Sequence, residues 1–198
     1  MNAARVIAVG LAIACLSACG SNDTVEDRYY SLVLAAGPAG NATDDGAAHL
    51  IVGPIELPRY LDGRGLSMQV GPNRIETANH HFWAEPLDEA IAKVLARDID
   101  ENTDDLVVQR ESGRWSGNAD CRLRIEFDAF HPTFRSDVVV TGRYWIGTDD
   151  NVARRDFSLR RGLTADGYAH AVDVLRGALA DLAEQVSDDL AAESGCTA

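Results

Sequence analysis

The sequence predicts an α+β fold: an antiparallel or mixed sheet with two main helices packed on one face. Two amphipathic stretches, each with apolar residues three and four positions apart, predict the helices. Strand-like segments precede and follow the first of them, and short turns join several of these segments into hairpins. This order, with hairpin-linked strands and segregated helices, is typical of α+β domains. At 198 residues and 46% hydrophobic composition, the chain can form one such domain.

The N-terminus has the features of a secretion signal. Arg5 precedes an apolar run from Val6 to Leu16, which is well short of the roughly 20 residues that span a bilayer. The run ends in Leu-Ser-Ala-Cys, which resembles the bacterial lipobox, where the cysteine is lipidated after cleavage. We therefore expect removal of residues 1–18 and lipid attachment at Cys19. The alternative is an ordinary cleaved signal with an incidental cysteine.

The polar residues that follow are expected to tether the body to a membrane. Residues 19–28 lack hydrophobic periodicity and can reach at most roughly 30 Å. Gly20 stands where enterobacterial lipoproteins of the inner membrane carry Asp, so it favours the outer membrane. We expect a periplasm-facing protein of the cell envelope, with one domain over residues 29–194 and a tail over 195–198.

Short strands and one helix are predicted in the first half of the body. The strands are expected over residues 29–34, 50–52, 66–70 and 74–77, with Pro54 and Pro58 ending the second of them. From Pro86 to about Asp100, apolar residues follow a helical period. Pro86 suits the first turn because its missing N–H would have no partner there.

The second half is predicted to contain four strands and a long helix. The strands are expected over residues 106–110, 121–129, 138–148 and 152–161. Residues 121–129 alternate strictly between apolar and charged side chains, which indicates a strand with one wet face. Asp149-Asp150-Asn151 is a turn sequence, so the last two strands should form a hairpin. The final helix should run from Tyr168 to Leu190, with close packing at Gly177.

No residue pattern predicts catalysis, a metal site or a cofactor. His80, His81 and Glu85 are the most suggestive cluster, but neighbouring side chains in an extended segment point to opposite faces. Pro86 also disfavours a helical Glu85, which would be needed to bring it beside His81. The net charge of −13 argues against nucleic-acid binding. We expect a protein that is not an enzyme and that binds neither metal nor nucleic acid.

Two cysteines of the mature chain could pair in the oxidising periplasm. Cys121 lies at the start of a predicted strand and Cys196 in the tail. Spacing alone leaves two alternatives open, a disulfide or a buried thiol at Cys121 with a free one at Cys196.

Trp83, Glu85 and Trp145 are the candidate partner contacts. Trp83 precedes the first helix, and a core anchor between helix and sheet is favoured over a partner contact there. Trp145 is out of phase with Tyr144 and Ile146, so it is expected on the opposite face of the sheet, either in an interface or under a further layer. The arginines at 154, 155, 160 and 161 are interpreted as a solvated strand face.

Two stretches carry a resemblance to a known family. Val52-Gly53-Pro54, continuing to Leu61-Asp62, and His80-His81-Phe82-Trp83-Ala84-Glu85-Pro86-Leu87 resemble the ABC-type transport auxiliary lipoproteins. The resemblance implies a non-catalytic envelope lipoprotein that works beside MCE-domain proteins and ABC transporter components in lipid transport between membranes.

The resemblance leaves other functions to be weighed. A homo-oligomer is a further expectation for a part that would surround or cap a conduit. The main alternative is a periplasmic module that binds a lipid or another apolar ligand directly. A hydrolase using His80, His81 or His131 is a third hypothesis, and it requires these side chains to converge in a cleft.

Overall fold

The computed structural model describes residues 25–33, 47–103, 106–111, 119–148, 150–192 and 196. Within them lie eight strands: β1 Arg28–Tyr30, β2 Ala48–Glu56, β3 Gly65–Gly71, β4 Arg74–Trp83, β5 Leu106–Arg110, β6 Cys121–Thr133, β7 Asp137–Gly147 and β8 Val152–Gly162. The helices are α1 Leu87–Asn102 and α2 Tyr168–Ala192, with a 3₁₀ turn at Arg59–Leu61. The α+β prediction is confirmed.

The eight strands form one mixed sheet around β6. On one side β6 pairs with the whole of β7, which pairs with the edge strand β8, both antiparallel. On its other side β6 pairs in parallel with β2 near its start and with β3 at Thr133. β5 extends the sheet beyond β2, while β4 and then β1 extend it beyond β3.

Both helices pack on one face of this sheet, as predicted. The alternating residues Leu123 and Ile125 of β6 and Tyr144 and Ile146 of β7 are fully buried there. α1 covers β2 and β5, while α2 covers β6, β7 and β8, and the two helices pack against each other. The opposite face carries the charged residues that alternate with these buried ones along the strands. No helix among the described residues covers that face.

α2 packs closely at Gly177, as expected from the sequence. A Cβ there would overlap the Arg161 guanidinium, which reaches across from β8 to Asp181 at 2.7 Å. A second ion pair, between Asp98 of α1 and Arg176 of α2, also spans 2.7 Å and is largely buried. No described helix is long and apolar enough to cross a membrane.

Several strand boundaries differ from the predictions. β2 does not end at Pro54 but continues to Glu56, because the register with β6 shifts between Val52 and Ile55 and accommodates the proline. β4 runs six residues beyond the predicted end at Thr77, since β3 and β1 pair with its two edges. β1 is shorter than predicted, and part of the predicted 29–34 strand lies outside the described residues.

Candidate functional site

The two stretches that carry the family resemblance meet in one cleft. The first supplies Ile55, Leu57, Leu61 and Asp62, and the second supplies Trp83 to Leu87; the adjoining residues Gly63, Arg64 and Asp88 complete these walls. Tyr29 of β1 closes one side, and the cleft has a volume of about 500 Å³. Two separate segments of the chain thus form one surface at the start of α1.

Backbone hydrogen bonds hold the walls of this cleft together. The Trp83 N–H donates to the Arg64 carbonyl at 2.7 Å, and the Ala84 N–H donates to the Tyr30 carbonyl at 2.8 Å. These bonds tie the end of β4 to the turn before β3 and to β1. Leu61 and Leu87 are buried beneath the cleft, so its floor belongs to the hydrophobic core.

The rim of the cleft carries charges of both signs. The Arg64 guanidinium stacks over the Phe82 ring, 4.2 Å from its centroid. Glu85 forms an ion pair with Lys93 in the second turn of α1. Asp62 and Asp88 are exposed. An apolar floor with a charged rim is the usual anatomy of a protein–protein contact.

The structure separates the three candidate partner contacts into two places. Trp83 is 7% exposed and packs in the core, with part of its surface in the cleft floor, and Glu85 stands on the rim. Trp145 lies on the helix-free face of the sheet, because its neighbours Tyr144 and Ile146 point into the core. The Arg124 guanidinium stacks on it at 4.4 Å.

The three histidines of the hydrolase hypothesis do not converge. The His80 side chain forms a hydrogen bond with Asp27 at 3.0 Å on one face of β4. The His81 ring stacks on Tyr168 of α2, with 3.9 Å between the ring centroids. His131 is buried on β6 against the edge of Tyr60. Burial lowers the pKa of both His81 and His131.

Within the described ranges, no group of three or more His, Cys, Asp or Glu side chains could hold a metal ion. In this part of the chain, the three histidines therefore do not share a metal site. The hydrolase hypothesis requires such a convergence, and the geometry does not provide it.

A second concavity was not predicted from the sequence. A groove of about 420 Å³ lies at the β6–β7 turn, and we call it the apolar groove after Met68, Phe134, Leu163 and Tyr168. Its lining is mixed, because Thr133, Ser136, Thr164 and Asp166 also contribute to it. Three distant segments form it, so no local pattern could reveal it. One signal was available: Phe134 is a large apolar residue inside a hairpin turn, where polar residues are the rule.

Cys19 lies outside the described residues, whereas the other two cysteines are placed. In the structure a disulfide joins Cys121 to Cys196, with their Cα atoms 5.2 Å apart. Both are 1% exposed. The bond connects the start of β6 to the chain beyond α2.

Comparison with known proteins gives consistent matches over most of the chain. Residues 30–187 match the family described as "ABC-type transport auxiliary lipoprotein component". A relative from Escherichia coli strain K12, named "Intermembrane transport lipoprotein PqiC", is 25% identical over 182 residues, covering 92% of this chain and 95% of the relative. A Shigella flexneri protein of the same name matches equally.

Two solved structures share the fold. A crystal structure of an uncharacterized protein superposes with a TM-score of 0.71 at 24% identity, covering 83% of this chain and 99% of the other. A Xanthomonas campestris protein superposes with a TM-score of 0.58 at 17% identity, covering 82% and 89%.

Proposed function

The chain belongs to the family of ABC-type transport auxiliary lipoprotein components, and from that premise we propose that it serves as a non-catalytic accessory part of an ABC/MCE-type intermembrane lipid transport system. Its partners are an MCE-domain protein and ABC transporter components. The names of the relatives from Escherichia coli and Shigella flexneri support the transport role. Lipid attached at Cys19 anchors the body in the cell envelope, at the outer membrane and facing the periplasm.

One structural observation carries the choice of contact surface. The stretches that resemble the family lie far apart in the chain, yet both line the cleft at the start of α1. Partner recognition would explain why distinctive residues are gathered there, since no described side chains around the cleft form a metal-binding cluster. We therefore assign partner contact to this cleft, with Glu85 on its rim and Trp83 supporting its floor.

Site-specific crosslinking in intact envelopes tests this proposal. A photoreactive amino acid replaces Ala84 or Asp88, both exposed at the cleft. The matched control position is Glu184, which is exposed on α2. The cleft positions should capture an MCE-domain protein and the control should not. Capture from Glu184 alone, or repeated capture of unrelated proteins from the cleft, would contradict the assignment.

The apolar groove favours a second candidate function, direct binding of a lipid or another apolar ligand. Its volume of about 420 Å³ falls within the range of small-molecule sites. Native mass spectrometry of the purified protein would detect a retained lipid. A bound lipid that is lost when Met68 is replaced by a charged residue would favour this function, and a lipid-free protein would count against it.

A further inference from the structure

Two turns, one strand–helix connection and the chain that precedes β1 lie at the same end of the sheet. β3 runs parallel to β6, with Gln69 opposite Thr133, so the β3–β4 turn and the β6–β7 turn lie side by side. The Leu163 N–H donates to the Ser136 carbonyl at 2.7 Å, which brings the β8–α2 connection to the same end. β1 runs parallel to β4, so the chain that precedes it points towards the β3–β4 turn as well. We call this end the turn end.

The tether is long enough for a lipid on Cys19 to reach the turn end. Asp27 lies beside His80, because their side chains bond at 3.0 Å. From there to Arg74 at the turn end, six residues of β4 span about 20 Å. Cys19 precedes Asp27 by eight residues, a reach of at most about 27 Å. A lipid on Cys19 can thus pass the turn end by less than about 10 Å if the tether continues along β4.

The turn end also exposes apolar side chains. Phe134 is 44% exposed in the β6–β7 turn, and Ile75 is 37% exposed just after the β3–β4 turn. The apolar groove opens between β3, the β6–β7 turn and the start of α2, beside Phe134. Partly exposed apolar side chains on neighbouring turns suit insertion into a lipid interface.

The charges on the turns and on the β8–α2 connection at the turn end are close to balanced, in a protein with a net charge of −13, while the tether that leads there carries Asp23 and Glu26. Arg74 pairs with Glu76, and Arg160 pairs with Asp137. Arg135 stacks over the Phe134 ring, 5.5 Å from its centroid. Asp166, on the β8–α2 connection, offsets this arginine. An anionic bilayer therefore repels the turn end less than it repels the body as a whole.

We infer that the turn end is a membrane-docking surface, with Phe134 and Ile75 resting in the lipid interface beside the anchor. Its occupant is the bilayer that holds the lipid on Cys19, so the inference rests on the anchoring part of the proposed function. The body then stands with its sheet strands steep to the membrane. The cleft at the start of α1 lies at the opposite ends of β3 and β4, and so it faces away from the bilayer.

Fluorescence quenching on vesicles tests this orientation. The full lipidated protein is reconstituted into vesicles of phosphatidylethanolamine and phosphatidylglycerol that include brominated lipid. A thiol-reactive fluorophore is attached either at Asn73→Cys in the β3–β4 turn or at Asp150→Cys in the β7–β8 turn. The two turns lie at opposite ends of a sheet whose strand β7 has 11 residues, about 35 Å. The label at 73 should be quenched and the label at 150 should not.

A matched pair of variants links the effect to the exposed side chains. Phe134→Asp should abolish most of the quenching at position 73, whereas Val152→Asp should leave it unchanged, although Val152 is 57% exposed. Circular dichroism establishes that each variant is folded. Equal quenching at both labels, stronger quenching at position 150, or no effect of Phe134→Asp would overturn the inference. If Phe134→Asp does not fold, the comparison of the labels at positions 73 and 150 still tests the orientation of the body.

The same samples separate this inference from the proposed function. A protein that fails to float with the vesicles has no anchor, which contradicts the proposed function. A protein that floats here and crosslinks to its partner in intact envelopes, but shows no quenching at position 73, contradicts the docking surface alone.

Discussion

Loss of the Cys121–Cys196 disulfide is predicted to lower the free energy of unfolding by about 4 kcal/mol. The structure joins these cysteines across 75 residues of sequence. The bond fastens the segment after α2 to the first residue of β6, the strand around which the sheet is built. Without the bond, the chain beyond α2 would lose its covalent link to the sheet.

The magnitude follows from the length of the closed loop. In the chain-entropy model, a loop of about 75 residues loses roughly 15 cal/mol/K of unfolded-state entropy, or about 4.5 kcal/mol at 25 °C. For a domain of this size, each kcal/mol shifts the melting temperature by about 2–4 °C. Reduction should therefore lower the melting temperature by about 8–16 °C.

Urea unfolding with and without reductant measures this effect on the body from Gly20 onward, secreted to the periplasm. The control is the double variant Cys121→Ala, Cys196→Ala, which should match the reduced protein and should not respond to reductant. A thiol count should find no free cysteine before reduction and two afterwards. Two free thiols in the untreated protein would show that the disulfide is absent, and equal unfolding midpoints with and without reductant would show that it does not stabilise the fold.

Three further predictions concern the free energy of unfolding, each measured by urea denaturation. Gly142→Ala should cost about 2–3 kcal/mol, because its Cβ would overlap the Glu126 carbonyl oxygen on the neighbouring strand. Asp98→Leu should cost about 3 kcal/mol by leaving Arg176 buried without its partner, whereas adding Arg176→Met should restore most of the loss. Burial lowers the pKa of His131 below its ordinary value, so the unfolded chain binds a proton that the folded chain excludes. Stability should therefore fall as the pH drops below about 6.5, and His131→Gln should reduce that fall.

A matched variant controls for the glycine change. Gly63→Ala introduces a Cβ with nothing within 4 Å and should be nearly neutral. Equal effects of the two glycine changes would contradict the Cβ overlap at Gly142. Additive losses in the double variant would contradict the coupling of the ion pair. An unchanged pH dependence in His131→Gln would contradict the part assigned to that histidine.

Elements whose partners are close in sequence were predicted well. The β7–β8 hairpin was expected over 138–148 and 152–161 and is found at Asp137–Gly147 and Val152–Gly162. Alternation sets the exposed and buried faces of these strands, and a short turn joins them, so local information is sufficient. Both helices were likewise located to within two residues of their ends.

Elements that depend on distant partners were predicted poorly. β1 and β2 lie in parallel pairs with β4, β5 and β6, and nothing local in the sequence identifies such partners. β4 contains the polar run from Thr77 to His81, which has little strand character of its own. Pairing along both of its edges makes this run a strand.

The candidate site was predicted in part. The sequence identified Trp83 and Glu85, and the structure brings both to one cleft with the other family-like stretch. The sequence did not separate Trp145 from Trp83 and Glu85, because which face of the sheet the helices cover depends on the tertiary packing. The turn end was missed, since its groove forms where β3, the β6–β7 turn and the β8–α2 connection meet.

The proposed function requires that the body is attached to a membrane through Cys19. Intact mass analysis of the protein, extracted from native envelopes, tests this attachment. We expect a chain that begins at residue 19 and carries a diacylated thiol and an acylated amino terminus. A mature chain that begins elsewhere, or that carries an unmodified thiol at Cys19, would rule out the lipid anchor.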